Sequence, residues 1–144
     1  MREGEAATSW VVERQREAGI HIPSDGEQLR EAFFLYVQRR MTGFSGKWKR
    51  PHGDELAAYP EYADLRRRQI TNDKSVSNFT PPMATGAVTY ADRDATEAEL
   101  KTFAAALNEV GGDFEDAFMT APSPGIVAAA MKNEFYSDED AISM

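Results

Sequence analysis

The chain has 144 residues, enough for one domain with a core, and its 24 acidic residues against 16 basic ones give a net charge of −8, which nucleic acid and anionic membranes repel. Hydrophobic residues at 42% and charged residues at 28% exclude wholesale disorder, and the lack of cysteine excludes disulfides and thiolate chemistry. No run reaches the ~18 apolar residues of a membrane span, and acids replace the apolar core of a signal peptide in Met1–Glu5, so the cytoplasm is the expected compartment.

A first helix is predicted with Ala7, Trp10, Val11 and Ala18 on one face and Gly19 at its end. Ile20 and Ile22 alternate with polar neighbours in a short strand that runs into Ser24-Asp25-Gly26-Glu27. Ser24 or Asp25 is placed to cap a second helix with Leu29, Phe33, Tyr36, Val37, Arg40 (by its stem) and Met41 on its apolar face. Gly43, Gly46, Pro51 and Gly53 make 42–54 read as a long loop, and a shorter helix follows with Pro60, Tyr62, Leu65 and Gln69.

Pro81-Pro82 introduces a second strand, Met83 to Tyr90. Thr96-Glu97-Ala98-Glu99 has the capping-box spacing and opens a helix through Leu100, Phe103, Ala104 and Leu107, which stops at Gly111-Gly112. A third strand, Ala117 to Ala121, enters the turn Pro122-Ser123-Pro124-Gly125, and Ile126 to Met131 reads as helix. Ser137-Asp138-Glu139-Asp140 signals another helix start. Strands separated by helices point to an α/β fold with about three parallel strands and right-handed crossovers.

The C-terminal ends of parallel strands are where α/β folds build active sites. Asp25-Gly26-Glu27 stands at such an end: its carboxylates suit an ammonium group, but helix capping is the more ordinary role for such residues. Thr85-Gly86-Ala87-Val88-Thr89-Tyr90 and Met119-Thr120-Ala121-Pro122-Ser123-Pro124-Gly125 are strand ends rich in small and hydroxyl residues. Ser123 lacks the spacing of a nucleophile elbow. His21 and His52 are the only histidines; His21 is expected on a strand face and His52 in a loop, and with no cysteine no closed zinc site is expected from this chain alone. Trp48, beside Lys49 and Arg50, suits stacking on a flat ligand or anchoring a loop. Arg66-Arg67-Arg68 reads as solvated surface charge.

The run Arg16-Glu17-Ala18-Gly19-Ile20-His21-Ile22-Pro23-Ser24-Asp25-Gly26-Glu27-Gln28 resembles a segment of the cobalamin-independent methionine synthase superfamily, nearest its single-barrel, methionine synthase II-like members. The resemblance continues through Tyr36-Val37, Thr42-Gly43-Phe44, Thr85 to Tyr90, Ala117 to Gly125 and Asn133-Glu134-Phe135-Tyr136. It implies a (β/α)₈ barrel that transfers a methyl group from a folate to a thiol such as homocysteine, with zinc activating the thiol. It also implies that Gly26-Glu27 binds the substrate's amino group, and that Asp25, Thr85, Tyr90 and Ser123 face the same pocket.

On that resemblance residues 1–144 are a single incomplete barrel domain. The family's first strand is expected before residue 1 and its zinc ligands beyond residue 144. The chain alone is then expected to bind no zinc, to be inactive by itself, and to self-associate through exposed sheet edges. Its implied partners are a small-molecule thiol and a methyl donor, not nucleic acid or membrane. The alternative is a non-catalytic remnant that binds a small ligand or a protein partner.

Overall fold

The computed structural model describes residues 2–48, 58–72 and 81–137. The expectations for Lys49, Arg50, Pro51, His52, Gly53 and Asp138 to Asp140 lie outside these residues. In chain order the elements are α1 (Arg2–Glu17), α2 (Val37–Arg40), β1 (Phe44–Ser45), α3 (Pro60–Asn72), β2 (Met83–Ala84), α4 (Arg93–Val110), α5 (Pro124–Ala130) and β3 (Lys132–Asn133). The fold is mixed α/β. Among the described residues no helix is long and apolar enough to cross a membrane.

Helix α1 carries Glu3 and Glu5 in its first turn and Arg14 and Arg16 in its last, each opposing the helix dipole. It ends in a Schellman arrangement: Gly19, at φ +75°, donates to Arg16 O, and Ile20 N reaches back to Gln15 O. Helix α4 is capped by Asp92, whose side chain accepts from Ala95 N at 3.0 Å. It therefore starts one turn before the expected Thr96-Glu97-Ala98-Glu99 box, leaving Thr96 and Glu99 inside the helix with their side chains free for other partners.

The principal core lies where α1 crosses α4. Val12, Phe103 and Ala106 are buried there, with Val11, Leu107, Val110, Phe114, Ala117 and Met119 packed around them. Ser9 Oγ to Glu109 (2.8 Å) and Arg16 Nη1 to Val110 O (2.6 Å) fasten the rim. Trp10, expected on this face, is 59% exposed. Two residues from both buried Thr8 and buried Val12, it is rotated by about 200° at 3.6 residues per turn. Tyr62 and Leu65 of α3 are likewise exposed.

Three parallel neighbouring strands were expected; the sheet is mixed, and it keeps of them only Met83–Ala84, the start of the expected strand Met83 to Tyr90. Its order is β1-β2-β3, with β1 antiparallel and β3 parallel to β2. The 42–45 segment, expected as loop, pairs with 83–91 because Gly43 adopts φ +83° and its carbonyl accepts from both Thr85 N and Gly86 N. The expected strands at 20–24 and 117–121 do run parallel and adjacent, reduced to one bridge, Ser24 to Phe118. Gln15 occupies the other side of Ser24: its side-chain amide accepts from Ser24 N at 3.0 Å and donates to Ser24 O at 2.9 Å, as a neighbouring strand would.

The second helix expected after Asp25 is also corrected. Gly26 at φ +62° and Glu27 at φ +56° are successive left-handed residues, incompatible with the first turn of a right-handed helix. Turns fill the stretch, and helix appears only at α2. There Val37 joins Val127 and Met131 in a second buried cluster, flanked by Phe34, Tyr36, Met41 and Phe44.

Candidate functional site

The left-handed turn at 26–27 throws Arg30 across the molecule toward α4. Glu99 lies on the buried stripe of α4, one turn before Phe103, and its side chain is only 4% exposed. A carboxylate there requires charged partners, and it has two. Arg30 Nε donates to Oε1 at 2.7 Å, and Arg40 Nη2 donates to Oε2 at 2.6 Å. The side chains of Arg30 and Arg40 are 3% and 15% exposed.

The network extends both ways. Arg30 Nη1 donates to Thr120 O at 2.7 Å and to Thr120 Oγ1 at 3.0 Å, and Thr120 Oγ1 donates to Glu27 Oε1 at 2.7 Å. The parallel bridge between Ser24 and Phe118 makes this last contact possible, since it brings the following residues of both segments out at the same end. In the other direction Arg40 Nη1 donates to Thr96 Oγ1 at 3.2 Å, and Thr96 shares a hydrogen bond with the Tyr90 hydroxyl. The Tyr36 ring makes cation–π contacts with both guanidiniums, its centroid 4.7 Å from Arg30 and 4.6 Å from Arg40.

The electrostatics follow from this packing. Burial alone lowers the pKa of Arg30, but its hydrogen bond to Glu99 and that residue's charge outweigh it, and the net shift is upward. Burial pushes the Tyr36 phenol up, against the opposing pull of Arg30 and Arg40. Arg30, Tyr36, Arg40 and Glu99 form the charged end of a cavity of about 450 Å³, within the usual range for small-molecule sites. It opens at Tyr90 and Leu100, which are 45% and 52% exposed. A groove of about 990 Å³ between α1 and α4 is lined by the outer faces of those helices, among them Trp10 and Lys101.

The residues singled out from sequence are dispersed. Asp25 is 2% exposed, and neither carboxylate oxygen has a hydrogen-bond partner, so it does not cap a helix. Gly26 packs toward α1, where an added Cβ would stand 3.1 Å from both Val11 methyls. Glu27 joins the network through Thr120, and Tyr90 through Thr96. Thr85 lies away from the cavity, its Oγ1 2.7 Å from Ser45 Oγ. Ser123 caps α5, accepting from Ile126 N at 3.2 Å. His21, expected on a strand face, is exposed.

Nothing in the local sequence marks Arg30, Glu99 and Thr120 as a unit, and the helical spacing around Arg40 suggests only packing of its aliphatic stem. One signal was present: Glu99, Phe103 and Ala106 share the inward stripe of α4, and a carboxylate in such a stripe demands a cation.

No group of three or more His, Cys, Asp or Glu among the described residues could hold a metal, and the sequence contains no cysteine. No protein-family model matches the chain, nor does any curated protein or solved structure.

Proposed function

We propose that this chain is the substrate-gripping part of a methyltransferase resembling cobalamin-independent methionine synthase, its segments belonging to a partial (β/α)₈ barrel. Its ligand on this reading is a small amino-acid thiol of the homocysteine type. One observation carries the reading: the Asp25 carboxylate is buried without a hydrogen-bond partner, two residues from Glu27. A buried carboxylate calls for donors or a cation. A substrate ammonium provides three N–H donors and one positive charge. Asp25 and Glu27 are the groups to receive it, with Thr120 holding Glu27 in place. No step of methyl transfer is assigned to a residue of this chain.

The test is calorimetric titration with L-homocysteine and with its analogue lacking the α-amine. A hydrogen bond to a charged group contributes about 1.5–3 kcal/mol, so homocysteine should bind roughly tenfold tighter or better. Glu27→Gln should erase that difference while the circular dichroism spectrum stays unchanged. Equal affinity for the two ligands in the parent chain overturns the reading. Binding without catalysis is the second reading, favoured by the Arg30–Glu99–Arg40 bridge, in which Glu99 already holds both guanidiniums in place. Methylation of homocysteine from a methylated folate by the whole protein separates the two.

A further inference from the structure

The cavity between α2 and α4 has a charged end and an apolar body, and neither Asp25 nor Glu27 lines it. Val37, Met41, Leu100, Met119 and Val127 form apolar walls. At the charged end two guanidiniums face the single carboxylate of Glu99, while the other carboxylates near Arg30, those of Asp25 and Glu27, stand outside the lining. The cavity surface therefore carries one excess positive charge.

Donor bookkeeping gives the same answer. A guanidinium has five N–H donors. Arg30 uses Nε on Glu99 and Nη1 on Thr120; Arg40 uses Nη2 on Glu99 and Nη1 on Thr96. Arg30 Nη2 and Arg40 Nε have no hydrogen-bond acceptor among the described residues. Both guanidiniums are held by Glu99 and by contact with the Tyr36 ring, so these donors are preorganised rather than free to turn toward bulk water.

We propose that this cavity binds a small carboxylate with an unbranched apolar body. The carboxylate accepts from the spare N–H groups of Arg30 and Arg40, and the body lies along Met41, Leu100 and Met119. A single negative charge matches the excess, and a planar carboxylate matches the guanidinium geometry. A cation is repelled by the same arginines, and a phosphate dianion brings one charge too many. The inference goes beyond the function proposed above and requires neither methyl transfer nor a ligand ammonium.

The experiment titrates the whole chain, its methionine methyl carbons isotopically labelled, with hexanoate and follows it by NMR. Met41 and Met119 should shift, while Met83, which lies in β2 outside the cavity lining, should not. Hexylamine should move none of them. Arg40→Gln should weaken hexanoate binding by about tenfold or more, the loss of one charge-assisted hydrogen bond, and Arg40→Lys should retain part of it. If Arg40→Gln does not fold, Leu100→Trp at the exposed mouth should block hexanoate without touching the buried network.

No shift with millimolar hexanoate, equal shifts with hexylamine, or movement of Met83 together with the others overturns the proposal. L-norleucine, which has the same body plus an α-amine, distinguishes two sources of the carboxylate. Tighter binding than hexanoate, with the gain lost in Glu27→Gln, assigns the carboxylate to an amino acid that also reaches Glu27. Binding no tighter assigns it to a free carboxylic acid. Hexanoate binding that persists where homocysteine shows no amine preference refutes the amino-acid reading alone.

Discussion

Removing Glu99 should be among the most damaging single changes to this chain. Glu99→Ala takes away the one carboxylate that pairs with two guanidiniums, with Arg30 and Arg40 only 3% and 15% exposed. Breaking a buried pair from one side typically costs ~3–5 kcal/mol, because the remaining charge stays buried. A domain of this size is stable by ~5–15 kcal/mol, so the variant loses between about a fifth and all of its margin. With a urea dependence of about 2 kcal/mol per molar, the denaturation midpoint followed by far-ultraviolet circular dichroism should fall by about 1.5–2.5 M. Replacing all three charges together, as Arg30→Met, Glu99→Leu and Arg40→Met, should cost far less than the single change, since well-packed apolar substitutes for a buried triad are neutral or better. A Glu99→Ala midpoint within about 0.25 M of the parent, about 0.5 kcal/mol, would show that water reaches the network and that the charges are not coupled.

Alkali should expose Tyr36. Its phenol pKa is raised above the ordinary 10.0 by burial, so the folded chain keeps a proton that the unfolded chain has already released. That contribution is complete below about pH 10 and is lost as pH rises through the raised value. Urea midpoints measured between about pH 8 and pH 11 should fall less steeply for Tyr36→Phe than for the parent, and parallel curves would refute the assignment. Gly43→Ala should destabilise more than Gly19→Ala. Both glycines have positive φ, but a Cβ at Gly43 meets Gly86 O and Ala87 O at 2.6 Å, whereas one at Gly19 has nothing within 4 Å. The left-handed penalty of ~1–2 kcal/mol is shared, so equal melting temperatures for the two variants would show that the 40–45 and 83–91 segments are not clamped at Gly43.

What was legible in the sequence is what local rules govern. The ends of α1 and α4 follow from Gly19 and Gly111, each followed by chain that turns away. The helix expected over Ile126 to Met131 is present but starts at Pro124, with Ser123, expected in a turn, as its cap. The parallel approach of 20–24 and 117–121 was legible as well. The second helix was not, because the apolar spacing from Leu29 to Met41 is helical while the backbone at Gly26 and Glu27 is left-handed. The β1–β2 pairing was hidden because two-residue strands have too little pattern to show a period. The Arg30–Glu99–Arg40 network joins residues 69 and 59 positions apart. Charges buried by partners so distant in sequence carry no local signature except the anomaly of Glu99 in an inward stripe.

The remaining prediction follows from the pleat of the two parallel segments. Successive side chains on a strand alternate faces. Pro23 and Asp25 turn inward and are buried, and beside them Ala117 and Met119 pack against the α1–α4 core. The opposite face therefore carries Ile20, Ile22 and, next to Ser24 across the bridge, Phe118, which are 43%, 47% and 51% exposed. Parallel strands ordinarily bury both faces. Covering three half-exposed apolar side chains is worth about 2–4 kcal/mol per chain at ~1.5–3 kcal/mol for each complete burial. Two such faces meeting gain about 4–9 kcal/mol, against an association cost of ~4–15 kcal/mol. At the favourable end of both ranges the net is about −5 kcal/mol, a dissociation constant of roughly 0.2 mM, so self-association should be weak and reversible, visible only toward millimolar concentration, rather than a tight dimer. Sedimentation velocity should show a weight-average mass that rises with concentration, and Ile22→Lys with Phe118→Lys should return it to the monomer value without unfolding the helices. A sedimentation coefficient that is constant with concentration, and unchanged by those substitutions, would mean that the exposed face is tolerated in water.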